Sequence, residues 1–185
     1  MPRGRKRKPG NRYPCGRRTR TETERETMAT VIEARRRHFG VTEKQARDER
    51  LATSLGRLAW QRDISTEQYE AGIRFGELYH RHHLILGLPV PSPSSVAGLL
   101  IAEGIFGGSR TDPDPDVVET VRDRFDTAMR ALADSDREQR LARGAKPSQL
   151  VYRVVCVDED TRQWPECDLG NFRVALNALV RVFRC

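Results

Sequence analysis

The chain has 185 residues, of which 37% are hydrophobic and 6% aromatic, and a net charge of +7. That length accommodates one domain or two small ones, with a core of Leu, Val, Ile and Ala rather than of rings. No run nears the roughly 18 to 20 apolar residues that cross a bilayer, and no apolar stretch follows the basic start as a secretion signal requires, so no membrane association and a cytoplasmic location are expected.

The charge is concentrated at the N-terminus. Residues 1–20 hold nine cations (Arg3, Arg5, Lys6, Arg7, Lys8, Arg12, Arg17, Arg18 and Arg20) and no acid. The remaining residues carry 24 basic and 26 acidic groups, a net of −2, so the high pI belongs to the leader. A segment rich in Arg, Gly and Pro cannot offset its ordering entropy by burial, and residues 1–25 are expected to form a disordered basic tail. Clustered cations bind polyanions by releasing condensed counterions. The nine residues are therefore the candidate nucleic-acid contacts; keeping the protein soluble, or filling an acidic groove on a protein, is the alternative.

Behind the tail, Met28, Val31, Ile32 and Phe39 fall on one helical stripe that Gly40 stops. Thr42 and Gln45 have capping-box spacing, and Leu51, Leu55, Leu58 and Ala59 continue as an amphipathic helix. Ser65 and Gln68 repeat that spacing, which predicts a helix from Thr66 to about Leu86. Its apolar residues form two stripes, Tyr69–Gly72–Ile73–Gly76–Tyr79 and Ala71–Phe75–Leu78–Ile85, as expected of a central helix with close neighbours at the glycines. The proline-rich stretch from Gly87 to Ser95 reads as a connector, and Val96, Leu99, Leu100 and Ile105 as a short helix.

"GGSRTDPDPD", residues 107–116, is the expected linker between an N-terminal helical subdomain, 26–106, and a C-terminal one, 117–185. Val118, Val121, Phe125, Met129 and Leu132 then mark a helix with Asp116 as its N-cap. "REQRLARGAK" reads as its extension or as a second short helix. Leu150, Val151, Val154 and Val155 fit a helix better than a strand, because a lone strand would find no partner. Leu169, Phe172, Leu176, Leu179, Val180 and Phe183 close the chain as an amphipathic helix. The fold expected is all-α: an irregular helical bundle, divisible into two small subdomains.

The pattern "HRHH" at 80–83 invites a metal assignment. His80 and His83 share a helix face but His82 does not, and a stable transition-metal site wants three or four ligands. Cys15, Cys156, Cys167 and Cys185 include no C-x-x-C pair and read as free thiols. Phosphate-binding and nucleophile-elbow motifs are missing. Asp158, Glu159 and Asp160 read as a solvated run in a turn, and Trp60 and Trp164 as packing anchors. No catalytic residue, metal or cofactor is expected, and hence no enzyme.

Residues 150–183 combine an apolar segment, Trp164–Pro165, and a closing helix with the rhythm Phe172, Ala175, Leu176, Leu179. In this they resemble a helical domain of phage-derived bacterial regulators, including the C-terminal part of gene-transfer-agent activators. In that family a basic stretch commonly follows Trp-Pro, where this chain has Glu166, Cys167 and Asp168. "RKRKPG" followed by "QYEAGIRFGELY" is similar to small prophage-encoded proteins. The resemblance implies a regulator acting on the transcription machinery. The expected function is that of a phage or prophage DNA-associated regulator, binding DNA through the tail and RNA polymerase or a phage protein through the helical body. The alternatives are a virion assembly or DNA-packaging component of small-terminase type, which would be oligomeric, and a non-catalytic protein adaptor.

Overall fold

The structure, a computed structural model, describes residues 22–88 and 114–185. Residues 1–21 of the expected tail, with its nine cations, and the short helix at 96–105 lie outside the described residues; residues 22–25, expected in the tail, belong instead to the first helix, Glu22–Phe39. The described residues form seven α-helices and no strand, so the protein is all-α. The chain divides into two compact units after Asp48.

In the first unit, α1 (Glu22–Phe39) ends at Gly40, whose φ of +63° suits a residue without a Cβ. Thr42 and Gln45 exchange the two bonds of the predicted capping box and start α2 (Glu43–Ala46). The Arg35 guanidinium reaches from α1 to the carbonyls of Ala46 and Asp48, at 3.2 and 3.4 Å. Within the predicted α1 stripe, Ile32 and Phe39 are half-buried whereas Met28 and Val31 stay exposed.

The second unit, Glu49–Cys185, contains α3 (Ser54–Gln61), α4 (Thr66–Leu86), α5 (Pro115–Glu138), α6 (Pro147–Val151) and α7 (Glu166–Phe183). The stretch from Thr42 to Asp63, expected as one helix, is broken. After α2 comes a single 3-10 turn over Glu49–Ala52, and Thr53, in extended conformation, caps α3 through Gly56 N. The apolar rhythm runs unbroken across this kink because Leu51, Leu55 and Leu58 are all buried on its inner side. Gly56 makes the kink possible: a Cβ there would overlap the Arg50 carbonyl oxygen.

The predicted α4 capping box is present, with Ser65 Oγ accepting from Gln68 N at 3.1 Å and Gln68 Oε1 accepting from Ser65 N at 2.9 Å. The two α4 glycines face neighbours as expected. A Cβ at Gly72 would lie 2.8 Å from a Leu55 methyl, and one at Gly76 would lie 3.0 Å from a Val155 methyl. The cap of α5, Asp114, lies two residues before the predicted one. Asp114 accepts from Asp116 N, and Pro115 takes the first helical position, where its missing N–H is no loss. α5 stops at Glu138, so the polar stretch that follows is neither an extension nor a second helix but a turn. α6 widens into a π-helical turn over Tyr152–Cys156, with Val157 N bonded to Tyr152 O at 3.2 Å.

Residues from both sides of 107–116 build a single core. Leu55, Ala71 and Phe75 join Ala128, Leu132, Leu150, Val154, Phe172 and Leu176 in it. The expected division into 26–106 and 117–185 therefore does not describe how the core is partitioned. A helix as apolar around its circumference as α4 needs partners on several sides, and α5 and α7 supply them.

The two kinds of glycine separate in a stability assay. Gly170, inside α7 with open space where a Cβ would go, should stabilise the protein by up to about 1 kcal/mol when changed to Ala. Gly56→Ala should destabilise it by about 1–3 kcal/mol, because backbone has to move. Urea unfolding of the two variants reads both signs.

Candidate functional site

Among the described residues, the far half of α4 carries a dense cluster of rings. Tyr79 sits at its centre, stacked on His83 at 3.9 Å and tilted against Phe125 of α5 at 6.1 Å and Tyr152 at 6.0 Å. His82 lies flat on Phe125, 4.0 Å between centroids and 15° between planes. A His83 ring nitrogen donates to the Tyr79 carbonyl at 2.9 Å. His80 points to solvent. His82 and His83 meet edge-on at 5.5 Å and share Phe125, so the pair brought together is not the expected His80 and His83, and among the described residues no three His, Cys, Asp or Glu side chains gather as a metal site would require.

Burial shapes the chemistry of this cluster. It pushes the Cys156 thiol up to about 12. It also pushes the Tyr79 phenol up to about 12, with Cys156 and the hydrogen-bonded Tyr152 adding to the effect. Both remain protonated at neutral pH and neither is available as a nucleophile. Cys156, Cys167 and Cys185 are free thiols.

In the acidic run Asp158 and Glu159 are half-buried and bonded to other elements of the fold, whereas Asp160 is exposed, as expected of a solvated turn. Asp158, at φ +58°, accepts from Ser54 N at 2.6 Å and so places a negative charge at the α3 N-terminus. Glu159 pairs with Arg153 and accepts from the Trp164 indole at 3.4 Å. Asp160 binds Arg162. These partners hold the Glu159 and Asp160 carboxyls below the usual carboxylate range, Arg153 through its hydrogen bond to Glu159 and Arg162 through its bond to Asp160. Sequence spacing carried no sign of this, because Ser54 and Asp158 are 104 residues apart. Trp164 packs edge-on against Phe172 at 5.8 Å and under the Arg153 guanidinium at 5.4 Å, an anchor for the loop before α7.

A second pinned loop joins α5 to α6. Asp168, buried in the first turn of α7, accepts from Ala145 N at 2.8 Å. Asn171, one turn on and also buried, donates to the carbonyls of Arg143 and Ala145, both at 3.0 Å. Asp136 takes Ser148 N and Ser148 Oγ at 2.8 and 2.6 Å. Gly144 adopts φ +101°, and a Cβ there would strike the Asp168 carboxylate. The buried acid and amide just after Trp-Pro thus grip the backbone of this turn.

Comparison of the chain with models of protein families, with curated proteins and with solved structures finds no match in any of the three. No described helix is long and apolar enough to cross a membrane.

The His82 environment gives stability a pH dependence. Its Nδ1 is buried without a hydrogen-bond partner. Burial lowers its pKa, His83 and Arg122 act in the same sense, and Asp126 opposes them. Below the ordinary imidazole value of about 6.5, the unfolded chain takes up a proton that the folded chain resists. Stability is therefore highest above that pH and falls as pH drops toward the depressed folded value. Urea midpoints between pH 7.5 and 5 should decline, and His82→Phe should flatten the decline.

Proposed function

We propose that this protein is a phage or prophage DNA-associated regulator, which grips DNA through Arg3, Arg5, Lys6, Arg7, Lys8, Arg12, Arg17, Arg18 and Arg20 and engages a protein partner through its helical body. RNA polymerase is the partner that the resemblance at residues 150–183 suggests. The observation that carries the reading is charge segregation: nine cations and no acid in the first 20 residues, against a net of −2 over the rest. A leader of this kind contacts phosphates and positions the protein without reading bases. The role is binding rather than catalysis, in keeping with the packing duties of Cys156, Tyr79 and the acidic run.

A packaging protein of small-terminase type would carry the same leader. Solution mass separates the two: a monomer or dimer that captures polymerase fits regulation, and a ring of about eight or more subunits fits packaging.

Fluorescence anisotropy with a duplex at several salt concentrations tests the leader. If all nine cations meet phosphate, log K falls with log[salt] at a slope approaching about −8. Removing residues 1–20 should abolish most of that slope and most of the affinity. Equal affinity with and without the leader refutes the reading.

A further inference from the structure

The turn between α5 and α6 combines charge, exposure and fixed backbone in a way the fold itself does not need. From Gln139 to Lys146 it holds three cations, Arg140, Arg143 and Lys146, and no acid. All three are exposed, and among the described residues none is in an ion pair or donates a side-chain hydrogen bond. Leu141, 88% exposed, shows how far the tip stands clear of the body. Beneath it, the turn is gripped by Asp168 at Ala145 N and by Asn171 at the Arg143 and Ala145 carbonyls. Gly144 supplies the positive φ that lets the chain settle on them.

Exposed cations are ordinarily carried on loops whose backbone must be ordered when a partner binds. Here two buried polar side chains of α7 have already fixed the backbone, so binding costs less ordering entropy. The Asp168 carboxylate beneath the turn accepts from a backbone amide and is in no ion pair with the three cations. What remains is a rigid projection with three unneutralised positive charges within eight residues, a surface complementary to closely spaced phosphates.

We infer that residues 139–146 form a second, preorganised contact for the DNA backbone, located on the helical body and distinct from the leader. This rests on the reading of the protein as DNA-associated and adds a site to it: a contact on the body itself orients that body on the duplex.

The test uses the full-length chain and a duplex of about 20 base pairs, with anisotropy titrations at several salt concentrations. Four proteins are compared: wild type; a turn variant with Arg140→Gln, Arg143→Gln and Lys146→Gln; a leader variant with its nine cations changed to Gln; and the combination. Circular dichroism melts should match across the set, since the three turn side chains hold nothing in place. The turn substitutions should make the salt slope shallower by about 2–3 and weaken binding roughly tenfold, whether the leader is charged or neutral. If the leader variant binds like wild type while the turn variant does not, the leader reading fails and the turn assignment stands. Turn substitutions that change neither slope nor affinity in either background overturn the inference. So does loss of binding to poly-L-glutamate with duplex binding intact, which would assign the turn to an acidic protein instead.

Discussion

The body of this protein depends on how closely its other segments approach α4. Gly72 and Gly76 remove the side chains that would hold them off, and Leu55 of α3, Leu176 of α7 and Val155 of the π-helical turn move into the space. Each methylene so buried contributes roughly 0.8 kcal/mol, against a cost of about 1 kcal/mol for each glycine in a helix. Polar bonds then fix the register of α7 along α4. Gln68 donates to Asn177 at 2.8 Å and Arg74 to the Phe183 carbonyl at 3.0 Å, while Arg173 of α7 donates to the carbonyl of Asp63, in the turn before α4, at 2.5 Å. Hydrophobic contact supplies most of the attraction, and these bonds select one alignment from those that apolar faces alone would tolerate.

Carboxylates do a different job here from the one their frequency suggests. Asp158, Asp136 and Asp168 each accept a backbone amide, at the start of α3, at the start of α6 and under the Gln139–Lys146 turn respectively. Charge-assisted bonds of this kind are stronger than neutral ones, and each ties a short or irregular segment to a helix remote in sequence. The near-neutral sum of the body conceals this division of labour: acids are bound into the architecture while several cations stay at the surface. The leader, with nine cations and no acid over residues 1–20, and the turn, with three and none over residues 139–146, are two such runs of positive charge. In the proposed function both meet the same polyanion.

Much of the architecture was legible wherever the signal was local. The capping boxes at Thr42 and Ser65 and the extent of α4 follow from side chains within four positions of one another. The close approach at Gly72 and Gly76 was readable too, because glycines on an apolar helix face have few other uses. Long-range causes left no local trace. The interruption before α3 depends on Asp158 and on the passage of Arg50 over Gly56, while the apolar rhythm of Leu51, Leu55 and Leu58 continues regardless. The Gly-Gly and Asp-Pro pairs at 107–116 signal a break in helix, which is a property of backbone; whether a core divides there is a property of packing, and α4 packs on helices from both sides. Asp158 and Glu159 looked solvated because their partners lie five or more residues away, whereas Asp160 is indeed exposed. Of the candidate site, the leader was found by counting charges, whereas the Gln139–Lys146 turn became visible only once Asp168 and Asn171 were seen holding it.

The central structural claim is that α4, α5 and α7 stand or fall together. Native-state hydrogen exchange at increasing denaturant tests it most directly, with the amides of Phe75, Leu132 and Phe172 as reporters. The account predicts that all three merge into one opening, with the same free energy and the same denaturant dependence as global unfolding. Exchange of the Phe75 amide through a separate, smaller opening, while Leu132 and Phe172 stay protected, would contradict it.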